Sequence, residues 1–174
     1  MRSQVCLLLC SVLCAATMLQ AQERNPYVPE TDPLVVAKLT EWQDLKFGLM
    51  MTWGPYSQWG VVESWSLCAE DEPWCQRNAS DYVGYKSDYE ALKKTFNPTA
   101  FDPQKWARAS KDAGIRYVVG MAKHHDGFSM FDTRTTDYRV TDPGCAFSVH
   151  PKANILKEIL GAFRNEGLWA GIYF

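Results

Sequence analysis

The sequence lacks the patterns that would assign it to several large classes. It carries 18 Lys and Arg against 20 Asp and Glu, a formal net charge of −2, so no basic surplus argues for a nucleic-acid partner. Low hydrophobicity combined with high net charge would mark disorder, but 47% of the residues are hydrophobic. No Cys-x-x-Cys pair or Cys/His cluster has zinc spacing, which argues against a structural metal. No glycine-rich phosphate loop follows a strand candidate, which argues against a dinucleotide fold. There is no internal repeat and no low-complexity segment. The apolar run Val5 to Ala16 is too short to span a bilayer.

That run instead has the length of a signal-peptide core. Arg2 supplies the positive start and Ala21 a cleavage position, so residues 1–21 read as a signal peptide and the protein as secreted or periplasmic. Cys6, Cys10 and Cys14 belong to that segment. Cys68, Cys75 and Cys145 remain, an odd number for an oxidising compartment; Cys68 and Cys75 could pair, leaving Cys145 buried or free. Asn78-Ala79-Ser80 is a glycosylation sequon, whereas Asn97-Pro98-Thr99 is excluded by its proline. Aromatic residues make up 13% of the chain, and they either fill a core or line a site for a flat or partly apolar ligand such as a sugar.

Residues 22–45 read as a short linker followed by a helix over Pro33–Leu45, with Leu34, Ala37 and Trp42 on one side. Lys46 to Trp53 is nearly continuously apolar, as suits a parallel strand buried on both faces. An irregular stretch to Ser87 precedes a short helix over Asp88–Phe96. Asp102-Pro103 caps the next helix, Gly114 ends it, and Trp106, Ala109, Ser110 and Ala113 share a face. Tyr117–Ala122 is a strand. Asn154–Glu166 is a helix with Ile155, Leu156, Ile159, Leu160 and Phe163 as its buried stripe, and Trp169–Phe174 is a third strand. Long loops after strands and short turns after helices predict an α/β fold of the (β/α)8 TIM-barrel type, with an open doubly wound sheet as the alternative. Three strands, the last ending on an expected buried Phe174, make only the first three βα units, so residues 46–174 read as the N-terminal portion of a truncated barrel. A complete barrel has about 250 residues.

The densest chemistry is Lys123-His124-His125-Asp126-Gly127-Phe128, at the carboxyl end of the second strand. Adjacent strand residues point to opposite sides, so the two histidines share a site only if Gly127 breaks the pleat. Neutral imidazoles offer both a donor and an acceptor, which suits sugar hydroxyls. Glu63-Ser64-Trp65 sets a carboxylate beside an indole, either a sugar-binding pair or a solvated loop acid next to a core tryptophan. Trp53 and Tyr56 either line a pocket or pack. Asp88, Glu90, Asp112, Asp137 and Lys93-Lys94 read as solvated faces.

Several of these segments, taken in order, resemble one known family. They are Lys46-Phe47-Gly48, Trp53-Gly54-x-Tyr56-Ser57, Phe96-Asn97-Pro98, Asp112-Ala113-Gly114-Ile115-Arg116-Tyr117-Val118-Val119, the His124-His125 segment, and Gly171-Ile172-Tyr173. Together they resemble the N-terminal barrel of the α-L-fucosidases, glycoside hydrolase family 29. The resemblance implies a retaining exo-glycosidase that removes terminal α-L-fucose from glycans, without a cofactor or metal. It also implies a fucosylated glycan as partner and no membrane span. His124 and His125 match the fucose-binding histidines, and Trp65 matches the first-loop tryptophan that contacts the sugar. The family's nucleophile and acid/base would fall beyond Phe174, which would leave these residues alone inactive. The family has histidine where this chain has Thr52, and glutamate where it has Ser64, with Glu63 one residue away. Those departures keep open a sugar-binding homologue without catalysis, or a related glycosidase with altered sugar specificity.

Overall fold

A computed structural model describes residues 28–68, 72, 75, 77 and 79–174. Residues 1–21, expected to form a signal peptide, and the sequon residue Asn78 lie outside the described residues. The chain divides into two compact units, residues 1–43 and 44–174. Helix α1 (Pro33–Leu45) occupies the expected positions, and Asp32 accepts from the Leu34 amide at its start. None of its side chains is buried, and Leu34 and Trp42 on the expected face are exposed.

The second unit is built on a three-stranded parallel sheet in the order β1-β2-β3: β1 (Gly48–Met51), β2 (Tyr117–Met121) and β3 (Trp169–Tyr173). Gly48 pairs with Tyr117, which in turn pairs with Trp169. Helices α2 (Tyr82–Ala91) and α3 (Pro103–Asp112) lie between β1 and β2 in sequence, and α4 (Ile155–Asn165) lies between β2 and β3. The caps follow the sequence pattern. Asp102 accepts from the Lys105 amide at 3.0 Å with Pro103 in the first helical position, and Asn154 accepts from the Lys157 amide at 3.3 Å. Gly114 and Gly167 take φ of 82° and 79°, the left-handed geometry that turns each helix straight into the next strand.

The core forms where α3 and α4 meet β2. Val118, Phe128, Phe147, Ile155, Ile159 and Phe163 are all fully buried, each burial being worth about 1.5–3 kcal/mol of transfer free energy. On α4 the buried stripe is Ile155, Leu156, Ile159, Ala162 and Phe163; Leu160 is only half-buried. On α3 the covered residues are Pro103, Ala107 and Ser110, with Trp106 partly buried against the core, while Ala109 and Ala113 are exposed.

Four expectations are corrected. Helix α2 begins at Tyr82 rather than Asp88, because Asp81 caps it by accepting from the Val83 amide. Strand β1 is not buried on both faces. It is an edge strand of this sheet, and Phe47 and Met50 remain more than half exposed. Phe174 is exposed rather than buried, since β3 is the other edge and Phe174 extends past it. Lys93 is not solvated: its Nζ bonds the Asp142 carboxylate at 3.2 Å and the Asp137 carbonyl at 3.0 Å.

Candidate functional site

Beyond Met121 the chain stays in the sheet for one more bond, from the Ala122 amide to the Tyr173 carbonyl, and then turns. The Gly127 amide donates to the His124 carbonyl at 3.0 Å, and Gly127 has φ of 82°. With the pleat broken, the two imidazoles lie together with ring centroids 4.8 Å apart and nearly perpendicular. His124 is buried and His125 exposed. Tyr173, at the end of β3, stacks on His124 at 5.9 Å. The cluster therefore stands at the carboxyl ends of β2 and β3.

The first loop reaches over the same point. The Ser64 Oγ lies 2.5 Å from His124 Nδ1, and His124 Nε2 lies 2.9 Å from Glu63 Oε2. The Trp65 indole N–H donates to that same Glu63 oxygen at 2.7 Å, and the indole packs on His125 at 4.9 Å between centroids. An ionised carboxylate only accepts, so Nε2 carries a proton and His124 donates to Glu63. Nδ1 then accepts from the Ser64 hydroxyl when the ring is neutral, or donates to it when the ring is charged. Among the described residues nothing engages the ring nitrogens of His125 or the second oxygen of Glu63. These groups, with the Trp65 face, are what the site can offer a ligand: an acceptor carboxylate, a donor–acceptor ring and an apolar platform.

Of the residues singled out in the sequence, His124, His125, Trp65 and Glu63 come together. Among the described residues Thr52 makes no hydrogen bond with them. It follows β1 and lines a shallow recess with Met51, Trp53 and Trp106, which includes none of the four. Trp53 packs, with ring centroids 5.5–5.9 Å from those of Phe96, Phe101 and Trp106. Tyr56 is buried edge-on to His124, and burial together with the charges of Asp126 and Glu63 pushes its phenol well above the ordinary range.

Sequence reasoning missed a second layer behind the cluster. Asp126 accepts from the Tyr89 hydroxyl at 2.8 Å and from the Phe128 amide at 3.0 Å. Burial raises its carboxyl, opposed by those two donors and by His124. It also missed Ser64, whose only signal was its place between Glu63 and Trp65. The same loop is closed by the Cys68–Cys75 disulfide, leaving Cys145 as a buried free thiol. Arg77 ties the loop down by donating to the Ser66 and Cys68 carbonyls at 3.2 and 2.7 Å.

Parallel strands joined by helices, with the polar cluster at the strands' carboxyl ends and on the loops that follow them, define a protein of the β/α class. Within that class the assignment is specific: the alpha-L-fucosidase family model matches residues 14–174, and the chain belongs to that family. It is 30% identical to a tissue alpha-L-fucosidase of Macaca fascicularis, over 96% of this chain and 36% of that protein. Alpha-L-fucosidase isoenzyme 1 from Paenibacillus thiaminolyticus superimposes with a TM-score of 0.59 and 34% identity, over 76% of this chain and 27% of that one. A GH29 alpha-L-fucosidase from Bacteroides thetaiotaomicron, trapped as a covalent intermediate with 2-fluoro-fucosyl fluoride, gives 0.58 and 26% over 85% and 31%. The chain spans about a third of the length of the curated relatives it matches.

Proposed function

We propose that the complete protein is a retaining exo-glycosidase that releases terminal α-L-fucose from fucosylated glycans. Residues 46–174 form the first three βα units of its (β/α)8 barrel. The observation that carries this reading is the convergence of His124, His125, Trp65 and Glu63 at the strands' carboxyl ends, in a chain of this family. A hexose-sized ring needs an apolar face to stack on and several donors and acceptors for its hydroxyls. Trp65 supplies the first, and His125 and Glu63 supply the others.

Retention requires two carboxyl groups about 5 Å apart. One attacks the anomeric carbon while the other protonates the departing oxygen; water, deprotonated by the second group, then releases the sugar. We assign both carboxyl groups to parts of the protein outside this chain, since Glu63 is held by His124 and Trp65, and Asp126 by the Tyr89 hydroxyl and the Phe128 amide. The signal-like residues 1–21 support a secreted or periplasmic location. Among the described residues no helix is long and apolar enough to cross a membrane.

One observation favours a second reading. Thr52 stands where the family has a histidine, and a hydroxyl on a shorter side chain replaces an imidazole there. A related glycosidase with altered sugar specificity, or a sugar-binding homologue without turnover, would follow from that difference. Assay of the complete protein with 4-nitrophenyl α-L-fucoside beside other nitrophenyl glycosides separates the readings. Nitrophenol release from the fucoside is the expected result. Release only from another glycoside would overturn the fucose assignment, and binding without release would overturn the enzyme.

A further inference from the structure

An open recess of about 740 Å³ lies between the first loop and α2. Trp59, Val61 and Arg77 line it from the loop, and Asp81, Tyr85 and Asp88 from the helix and its cap. None of His124, His125, Glu63 and Trp65 takes part. Its volume is that of a small-molecule site, for which about 300–1,000 Å³ is usual.

Two aromatic side chains form its apolar part. The rings of Trp59 and Tyr85 have centroids 5.3 Å apart, and Trp59 meets Tyr89 edge-on at 5.8 Å. Tyr89 is fully buried and backs the indole, while Trp59 itself stays 39% exposed. Among the described residues the Trp59 indole N–H, the Tyr85 hydroxyl and the Asp88 carboxylate have no hydrogen-bond or ion-pair partner. The other two polar residues are committed to the fold. Asp81 accepts from the Val83 amide at 3.1 Å, and Arg77 donates to the Ser66 and Cys68 carbonyls with its guanidinium 4.8 Å over the Tyr82 ring.

The three unengaged groups define what could fill the recess. A carboxylate accepts from hydroxyls, a phenol donates and accepts, and an indole N–H donates. An anion would face two carboxylates against one guanidinium that is already bonded. A purely apolar ligand would take the three polar groups from water and leave them without partners. A pyranose has an apolar C–H face for an aromatic ring and hydroxyls for the polar groups around it. We infer that this recess is a further carbohydrate site, which holds a neutral, unfucosylated pyranose of the glycan. The inference goes beyond the fucoside reading and rests on the glycan-hydrolase reading for the choice of a sugar as ligand.

The probe is N-acetyllactosamine, a neutral disaccharide without fucose, added to the complete protein already saturated with a fucose-configured iminocyclitol. With 5-fluorotryptophan incorporated, the Trp59 fluorine signal, assigned by its loss in Trp59→Phe, should shift saturably. Saturation-transfer NMR on the disaccharide should give the same dissociation constant and needs no assignment, so it decides even if Trp59→Phe does not fold. Asp88→Ala, at an exposed position, should keep the fold and weaken binding by about tenfold, as a charged hydrogen-bond acceptor is lost. Absence of binding, or binding seen only before the iminocyclitol is added, would overturn the inference. An unmoved Trp59 signal or an affinity unchanged in Asp88→Ala would overturn it as well. An iminocyclitol that fails to bind, while the disaccharide still shifts Trp59, would sink the fucose assignment instead and leave the recess as a sugar site.

Discussion

Asp126 shows how one partly buried residue ties the site to the fold. Its carboxyl is taken out of water, which raises it above the ordinary 3.8, while the Tyr89 hydroxyl and Phe128 amide donate to it. In the folded protein it therefore holds its proton to higher pH than in the unfolded chain. The associated stability is full below the ordinary value and is lost as pH rises through the folded one. Asp126→Asn removes that titration and keeps an acceptor for Phe128. In urea unfolding at a series of pH values from about 4 upward, the stability difference between variant and parent should move in the variant's favour as pH increases. A difference constant with pH would contradict the raised carboxyl. At this scale the sequence was only partly legible. The pair His124-His125 and the Glu63–Trp65 neighbourhood were visible because the residues are adjacent. The Tyr89–Asp126 and Ser64–His124 bonds span 37 and 60 residues, and no local pattern encodes them.

The elements were legible wherever the chain marks its own ends. Asp102-Pro103 with Gly114, and Asn154 with Gly167, fixed α3 and α4 to within a residue or two, because a cap and a left-handed glycine are local chemistry. Helix α2 was misplaced because Tyr82-Val83-Gly84-Tyr85 has neither an apolar stripe nor good helix formers, and only Tyr89 on it is buried. Its start depends on the Asp81 cap. The Gly167 turn gives a direct test at this scale. No heavy atom lies within 4 Å of where a β-carbon would sit, so Gly167→Ala costs only the backbone conformation, about 1–2 kcal/mol. The denaturation midpoint should fall by a corresponding amount with an unchanged slope. An unaltered midpoint would mean that the turn is not held left-handed.

For the molecule as a whole, the order β1-β2-β3 and the parallel register followed from the alternation of strands and helices. What strand periodicity could not supply was the exposure of the outer strands. Apolar runs such as Phe47–Met51 have the composition of a core strand whether or not anything covers them. The central claim is that the cluster at the carboxyl ends of β2 and β3 binds fucose through its exposed members. His125→Ala on the complete protein tests it most directly. The side chain is exposed and carries no hydrogen bond among the described residues, so thermal unfolding should be nearly unchanged. Calorimetric titration with a fucose-configured iminocyclitol should then show affinity falling by about tenfold or more, as the imidazole's hydrogen bonding to the sugar is lost. Undiminished affinity in a folded His125→Ala protein would contradict the account.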